Sequence, residues 1–403
     1  MLTIRARLIR EQDVKKHAVK WIKAGFKYGI GFGLLAYVLS KNWAPKGNNP
    51  GIQGLLQQAP DVFNFVTIAV MVTLCTCVQF FRWYLLVRAL DLPFTIGAAY
   101  RLGLVGSFWN TFAPGSVGGD LVKAYYIARG QPGRRAAAVA TVIVDRLVGL
   151  FGLLWYSAVF GGAFWIAGDV RISENDYLKD IIRVCSALTA TAVIGWIILG
   201  LLPMSRADRF AQRLTLFPLR VLTIIGWVFS RVLPQKWGER LTERLIGLAR
   251  IIGDVFAEGW YAVWTYRQKP KVVYITIAMT ACVHMVFVLM FYLAVRVFPA
   301  DDPASFPENL VIAPVGYIAQ AFFPAPGGVG GGEYIFGYLY KLLGKPEETG
   351  VIGRLTLRVN EWAIGIVGLF FYLRMRDELK VVEEEVEHKD DPEPEPLGNK
   401  KLE

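Results

Sequence analysis

The sequence Phe112–Asp120, FAPGSVGGD, and the sequence Pro324–Glu333, PAPGGVGGGE, decide how this chain folds. Each contains Pro-Gly-x-Val-Gly-Gly followed by an acid, and the second has one additional glycine. Each lies in the middle of an apolar stretch, where proline and glycine interrupt a helix. An interruption inside a membrane is tolerated only where protein or a water-filled cavity satisfies the freed backbone groups. The two sequences therefore predict two broken helices at membrane depth.

The composition around these sequences is that of a membrane protein. The chain has 403 residues, of which 54% are hydrophobic and 19% charged, and its mean hydropathy is +0.39. Soluble proteins have about 45–50% apolar and about 25% charged residues. Several apolar runs approach the length of about 20 residues that a helix needs to cross a bilayer. This pattern excludes a soluble enzyme and predicts an all-α polytopic membrane protein.

Charge sets the expected orientation. Residues 1–27 carry eight Lys or Arg against Glu11 and Asp13, which places the N-terminus in the cytoplasm by the positive-inside rule. We expect a multi-pass protein of the cell (inner) membrane with both termini cytoplasmic. The net charge of +11 follows this sidedness, so we expect no nucleic-acid partner. Six segments are expected to be full spans: 21–40, 62–86, 136–167, 181–202, 272–297 and 349–373.

Arg82 and Arg88, with Trp83 and Tyr84 between them, end the second span. Aromatic and basic residues together are typical of a membrane interface. We therefore expect an inner interface belt at this position.

The two interrupted stretches are expected to be re-entrant hairpins. Segment 94–129 has basic residues at both ends, so it enters and leaves on the cytoplasmic side, whereas segment 310–343 is flanked by acidic residues and enters from outside. The span–hairpin–span units 62–167 and 272–373 then have opposite orientations, which is typical of an inverted repeat with a substrate site near the midplane. The alternative is that the glycines only allow close helix packing.

The remaining domain boundaries follow from composition. The N-terminal membrane half covers 1–202 and the C-terminal half 272–373. Residues 203–271 carry twelve Lys or Arg against five Asp or Glu at helical spacing, which predicts basic amphipathic helices on the cytoplasmic surface. The acidic, proline-containing segment 374–403 is expected to be a disordered tail.

The backbone at the two interruptions is a candidate anion site. A second half-helix begins near Asp120 and another near Glu333, and helix N-termini present free N–H groups and the positive end of the helix dipole. Glycine lets a ligand approach the backbone closely, and phosphate is the obvious membrane anion. The candidate residues are Pro114, Gly115, Gly118, Gly119, Pro326, Gly327, Gly328 and Gly330.

The side chains beside these termini allow two interpretations. Asp120 and Glu333 are either helix caps or partners of an arginine or of a cationic head group. Lys123 lies one helical turn after Asp120 and is either part of the site or an anchor at the inner surface.

Further charges lie inside apolar segments. Asp145 and Arg146 interrupt one span, and Arg354, Arg358 and Glu361 share one face of the last span. Each ionisable group costs about 2.5–3.5 kcal/mol to insert, so such residues usually mark a pathway or site. The alternatives are pairing of Arg358 with Glu361, pairing of Asp145 with a neighbouring helix, and an interfacial Arg354. No pattern predicts a metal, a cofactor, a catalytic residue or an ATP site.

The motifs NTFAPGSVGGD, IVDRLVG and PGGVGGGE resemble the lysylphosphatidylglycerol synthase transmembrane-domain family, the flippase-like membrane part of the multiple peptide resistance factor. The likeness covers most of residues 20–375 and adds Asn110 to the candidate site. Lys123 stands where the family usually has arginine, and Ala325 where it often has serine. The resemblance implies two inverted re-entrant units and movement of charged or glycosylated lipids between leaflets. We expect a stand-alone member, because only about thirty residues follow the last span, too few for a transferase domain.

Three functions remain open from the sequence. The leading hypothesis is a lipid flippase that binds an anionic or modified head group between the hairpins, with arginines countering phosphate, moved passively or by a gradient. The second is an integral membrane transferase acting on a lipid-linked sugar or amino acid, with Asp120 or Glu333 as the acid. The third is an accessory subunit that presents lipid to a lipid-modifying enzyme. Self-association into a homo-oligomer is also left open.

Overall fold

The structure, a computed structural model, describes residues 25–26, 28–45, 47, 49–112, 118–201, 262 and 264–389. Three expectations fall outside these residues. They are the candidate site residues Pro114 and Gly115, the basic surface helices over nearly all of 203–271, and the end of the tail at 390–403.

The described residues form helices joined by short connections. They are α1 (28–43), α2 (Gly51–Leu56), α3 (Val62–Ala89), α4 (Ile96–Phe112), α5 (Gly118–Arg129), α6 (Arg135–Ile166), α7 (Val170–Ser173), α8 (Asp176–Leu201), α9 (Pro270–Ala294), α10 (Phe306–Ala321), α11 (Gly331–Leu342) and α12 (Glu347–Lys389), with a 3₁₀ turn at Pro326–Gly328.

Four of these helices, α3, α6, α8 and α9, are long and apolar enough to cross a membrane. They match the expected spans 62–86, 136–167, 181–202 and 272–297. The expected spans 21–40 and 349–373 stay predictions, and the second of them contains Arg354, Arg358 and Glu361. These helices are those of a polytopic membrane protein, with four candidate spans among the described residues.

Helix starts follow local sequence rules. Asp61 caps α3 by accepting from the Asn64 N–H, and α10 begins with a capping box between Ser305 and Glu308. Each cap satisfies backbone N–H groups that have no partner inside the helix.

Both interrupted stretches form a helix, a break and a second helix packed against the first. In the first stretch, α4 ends at Phe112 and α5 begins at Gly118. In the second, α10 ends at Ala321 and α11 begins at Gly331, with the 3₁₀ turn between them. Gly327, Gly328 and Gly330 have positive φ, a conformation that other residues rarely adopt.

The ends of each helix pair lie close together. At the first pair, Gln131 donates to the Pro93 carbonyl at 2.5 Å and Arg134 to the Leu90 carbonyl at 2.8 Å. At the second pair, Lys345 forms an ion pair with Asp302 at 2.6 Å. Each pair therefore begins and ends at one place, with its break at the far end.

The two units have the same pattern of packed helices. The first unit consists of α3–α6 and the second unit of α9–α12. In each unit, the first and third helices both pack on the second and fourth helices. Between the units, α4 packs on α12 as α10 packs on α6, and α3 packs on α9. If each helix of the first unit is replaced by the corresponding helix of the second unit, and the reverse, the same pairs of helices are in contact. This is expected for an internal repeat.

Helix α1 packs against the second break. A Cβ on Gly31 would lie 2.7 Å from the Ala325 Cβ, and a Cβ on Gly330 would overlap with the Gly31 carbonyl oxygen. Tyr28 donates a hydrogen bond to the Phe112 carbonyl at the first break. One helix outside the repeat thus contacts both breaks.

The connection between α3 and α4 is tied to the start of α9. Lys269 donates to both carboxylate oxygens of Asp91 at 2.7 Å. This hydrogen bond holds the pKa of the Asp91 carboxyl below its ordinary range. The interaction is exposed and marks a surface contact between the two units.

The boundary of the last domain differs from the expectation. Helix α12 continues to Lys389, so residues 374–389 are helical where we expected a disordered tail. The sequence LRMRDELKVVEEEVEHK has no proline or glycine, and Leu, Lys, Glu and Arg are good helix formers, which explains the longer helix. The proline residues that suggested disorder begin only at Pro392.

Candidate functional site: two charge clusters at the helix breaks

The first cluster lies beside the break of the first unit and consists of Arg82, Asp120, Lys123, Asp145 and Arg146. Asp120 pairs with Arg146 on α6. The Asp120 side chain is only 9% exposed, whereas that of Arg146 is 52% exposed. The acid of this ion pair is therefore buried, whereas its arginine is half exposed.

Asp145 is held by an arginine from a neighbouring helix. Arg82 on α3 donates through Nε to Asp145 Oδ1 at 2.9 Å and through Nη1 to the Thr280 hydroxyl of α9 at 2.8 Å. Arg82 and Trp83 are both buried. The expected interface belt is therefore wrong at these two residues, because Arg82 turns inward to compensate the buried carboxylate.

Lys123 has aromatic neighbours but no carboxylate in contact. Its ammonium lies 5.7 Å from the Phe80 ring centroid and 5.4 Å from that of Trp83, and its stem packs on Gly106. Among the described residues, no carboxylate lies within ion-pair distance of this ammonium, although Asp120 and Asp145 are near enough to interact electrostatically. Of the three cations in the cluster, Lys123 alone lacks an ion-pair partner among these residues.

The second cluster lies beside the break of the second unit and consists of Gln320, Glu333, Arg354, Arg358 and Glu361. Glu333 pairs with Arg358, and both side chains are at most 2% exposed. Arg358 also donates to the carbonyls of Gly327 at 2.9 Å and Gly328 at 3.1 Å. The arginine of α12 thereby fixes the turn of the break as well as the acid of α11.

Arg354 forms the other half of this cluster. It donates to Gln320 Oε1 at 2.6 Å and to Glu361 Oε2 at 2.8 Å, and the Glu361 side chain is 38% exposed. Its Nη1 is buried and has no hydrogen-bond partner. A buried guanidinium with an unused donor is costly and can bind an oxygen acceptor. Arg354 is fully buried within the protein.

The ion pairs decide between the alternatives drawn from the sequence. Arg358 pairs with Glu333 and not with Glu361, which pairs with Arg354. Glu333 is both a cap and a partner, since its Oε2 also accepts the Gly330 N–H at 2.7 Å. Asp120 is likewise the partner of an arginine. Matching acid–arginine pairs therefore occur at both breaks.

The helix N-termini are partly satisfied within the protein. Asn110 Oδ1 accepts the Gly119 N–H at 2.8 Å, as Glu333 accepts that of Gly330. A Cβ on Gly119 would overlap with the Gly106 carbonyl oxygen, so glycine is needed there for α5 to approach α4. Side chains are consequently better placed to bind an anion than these two N–H groups.

The end of α4 contacts the 3₁₀ turn of the second break. A Cβ on Gly327 would lie 3.3 Å from the Thr111 carbonyl oxygen, and α4 packs on the 3₁₀ turn. The structure thus brings Asn110 and Gly119 of one break near Gly327 and Gly328 of the other. Gly118 is the first residue of α5, and Pro326 is the first residue of the 3₁₀ turn.

Sequence reasoning missed Arg82, Thr280 and Gln320. A signal for Arg82 existed, because Asp145 and Arg146 are adjacent in a helix and cannot face each other, so Asp145 needed a cation from elsewhere. Gln320 is a polar residue in an apolar run immediately before the second break, which is itself a signal.

Two apolar clefts lie beside the clusters. One has a volume of about 470 Å³ and lies between α1, α2, α3 and α12, with Leu39, Ile52, Phe65, Phe298 and Leu355 in its lining. The other, of about 250 Å³, is lined by Trp109, Leu121, Val122, Tyr125, Tyr126 and Tyr372. Both are suited to hydrocarbon more than to ions.

Comparison of the chain with curated proteins and with solved structures finds no match. A family model described as the lysylphosphatidylglycerol synthase TM region matches residues 51–368. This match includes the first unit, the second unit as far as residue 368 of α12, and both charge clusters. The chain therefore belongs to the lysylphosphatidylglycerol synthase transmembrane-region family.

Proposed function

We propose that this protein is a lipid translocase, which moves a lipid with an anionic or modified polar head group between the leaflets of the inner membrane. The head group passes between the two clusters while the acyl chains stay in the surrounding hydrocarbon. The observation that carries this proposal is the pair of acid–arginine ion pairs, Asp120–Arg146 and Glu333–Arg358, at corresponding places in two units that pack on each other.

The cost of these charges supports a function in transport. Four ionised groups beside interrupted helices are expensive in a bilayer, and such groups usually mark a substrate pathway. If these charges only stabilised the fold, the two acid–arginine ion pairs would be sufficient. A structural role does not account for the unused Nη1 donor of Arg354 or for the 52% exposed side chain of Arg146.

The arrangement in the membrane is part of the proposal. The two helix pairs are re-entrant, and the units have opposite orientations, with the first pair entering from the cytoplasm and the second from outside. Both chain termini are then cytoplasmic. In this proposed arrangement one cluster lies nearer each leaflet, and the inner ends of the two helix pairs lie between the clusters.

The apolar clefts are suited to the acyl chains. The 470 Å³ cleft runs beside the face of α12 that carries Ile352, Leu355 and Val359, whereas Arg354 and Arg358 occupy another face of the same helix. Hydrocarbon and charge are therefore separated across one helix, as a lipid with a polar head requires.

A vesicle assay tests the proposal. Purified protein in vesicles containing a fluorescent phosphatidylglycerol should make the inner-leaflet probe accessible to an external quencher. Arg146→Ala and Arg354→Ala should return this rate to that of protein-free vesicles, because each removes a cation from one cluster. Arg183→Gln is the matched control, since Arg183 forms an exposed ion pair with Asp180 on α8, away from the clusters.

The family description names a synthase, so a transferase is the second candidate. Asp120 and Glu333 are the acids such a reaction would use, but both are held by arginines. If vesicles show no probe movement and lipid mass changes only when an activated sugar or amino-acid donor is added, the translocase proposal is wrong and the transferase is right. If both readouts stay unchanged until a lipid-modifying enzyme is added, the accessory-subunit role is right.

A further inference from the structure

The two clusters differ in charge. In the first, the cations Arg82, Lys123 and Arg146 face the carboxylates of Asp120 and Asp145. In the second, Arg354 and Arg358 are balanced by Glu333 and Glu361. The first cluster therefore has one positive charge more than its own carboxylates neutralise.

Lys123 is the source of this surplus. Asp145 is occupied by Arg82 and Asp120 by Arg146, so both carboxylates already have an arginine as partner. The Lys123 ammonium rests beside the Phe80 and Trp83 rings instead. The attraction of aromatic rings for a cation is weaker than the cost of removing the charge from water.

The second unit shows that the fold does not require a lysine here. Phe336 lies one helical turn after Glu333, as Lys123 lies one turn after Asp120. A Cβ on Gly106 would lie 2.5 Å from Lys123 Cε, and a Cβ on Gly316 would lie 2.5 Å from Phe336 Cζ. The two side chains thus occupy equivalent positions against a glycine of the preceding helix. Where the second unit packs an apolar ring, the first unit carries a charge.

We propose that Lys123 selects lipids with a net anionic head group, its ammonium being the counter-ion of the lipid phosphate when the head group enters the first cluster. The inference rests on the proposed translocase function and names the substrate charge. The Arg146 side chain is 52% exposed, so the cluster is open to the surroundings at this residue. A head group of net charge −1 neutralises the surplus, whereas a cationic head group adds to it, and like charges in contact are unfavourable.

The decisive variant is Lys123→Met, which keeps the length of the stem and removes the charge. Wild-type protein should move fluorescent phosphatidylglycerol about tenfold faster than a matched lysyl-phosphatidylglycerol probe. Lys123→Met should lose this difference, Lys123→Arg should retain it, and Lys123→Glu should reverse it. Lys269→Gln, which removes an exposed lysine charge paired with Asp91, should leave the difference unchanged.

Binding in detergent separates this inference from the transport proposal. Phosphatidylglycerol should raise the unfolding temperature of the wild type more than lysyl-phosphatidylglycerol does, and Lys123→Met should remove that difference. If the wild type moves both lipids equally and binds both equally, the charge selection is wrong while the translocase stands. If it binds phosphatidylglycerol through Lys123 but moves no lipid, the translocase is wrong and the binding site stands.

The stability of Lys123→Met tells a ligand-binding lysine from a structural one. Removing a charge that lacks an ion-pair partner from a mostly apolar setting should leave the unfolding temperature unchanged or raise it. A lower unfolding temperature, with lipid selectivity retained, would mean that Lys123 is an anchor and would overturn the proposal.

Discussion

Arg358 is the residue whose loss should cost the most stability. Glu333 is fully buried, and Arg358→Ala would leave its carboxylate without a cation. Breaking a buried ion pair costs about 3–5 kcal/mol, because an uncompensated charge remains inside. Thermal unfolding in detergent should show this loss, and the double variant Glu333→Gln with Arg358→Met should recover most of it. Equal stability of the single and double variants would contradict a coupled pair.

Arg146 should behave differently, although its ion pair is equivalent. Its side chain is half exposed and Lys123 stays near Asp120, so Arg146→Ala should cost less stability than Arg358→Ala. The same variant should abolish lipid movement. A large stability loss together with unchanged transport would show that the first pair is structural.

The sequence identified the charged residues but not their partners. Asp145, Arg146, Arg354, Arg358 and Glu361 are candidates because they lie in apolar segments, and Asp120 and Glu333 because they lie at the starts of half-helices. Pairing depends on which helix faces which, and α12 offers both Arg354 and Arg358 on the same side. For that reason Arg358–Glu361 was as plausible as Arg358–Glu333 until the packing of α11 on α12 was known.

At the scale of elements, the glycines of the first break control how closely α5 approaches α4. A Cβ on Gly119 would overlap with the Gly106 carbonyl oxygen, which is backbone and cannot swing aside. Gly119→Ala should therefore separate the helix pair, displace Asp120 and reduce both stability and lipid movement. Gly97→Ala, in the same helix pair with nothing within 4 Å, is the control.

Alanine at position 97 should be neutral or stabilising, by at most about 1 kcal/mol, because alanine favours a helix more than glycine does. Unfolding temperatures and vesicle transport of the two variants provide the comparison. Similar, small effects of both substitutions would mean that the break does not depend on a close approach at Gly119.

The helix breaks were predictable, and their internal contacts were not. Proline and glycine in an apolar run indicate an interruption whatever surrounds it, and the second break lies where the sequence predicts it. The residues between α4 and α5, 113–117, lie outside the described part of the chain. Asn110 accepting from Gly119, and Glu333 accepting from Gly330, depend on the path of the chain through the turn. The end of α12 was misjudged because an acidic composition was weighed above helix propensity.

At the scale of the molecule, the repeat is the feature that connects fold and function. The matched sequences predicted two related units, and the packing of α3–α6 and α9–α12 has the same pattern in both. Helix α1 and the short α2 lie outside this pattern; the packing of α1 on the second break and of α2 on α12 had no signal in the sequence. Orientation in the membrane was inferred from flanking charge alone.

The central claim is that the two helix pairs enter the membrane from opposite sides, and the sidedness of two cysteines tests it most directly. Pro132→Cys and Asp301→Cys are placed, one at a time, in a chain whose four native cysteines are replaced by alanine; both positions are exposed. An impermeant maleimide is applied to sealed vesicles of each orientation. We predict labelling of position 132 only from the cytoplasmic side and of position 301 only from the outer side. Labelling of both positions from the same side would contradict the inverted arrangement, and with it a head group passing between opposed clusters.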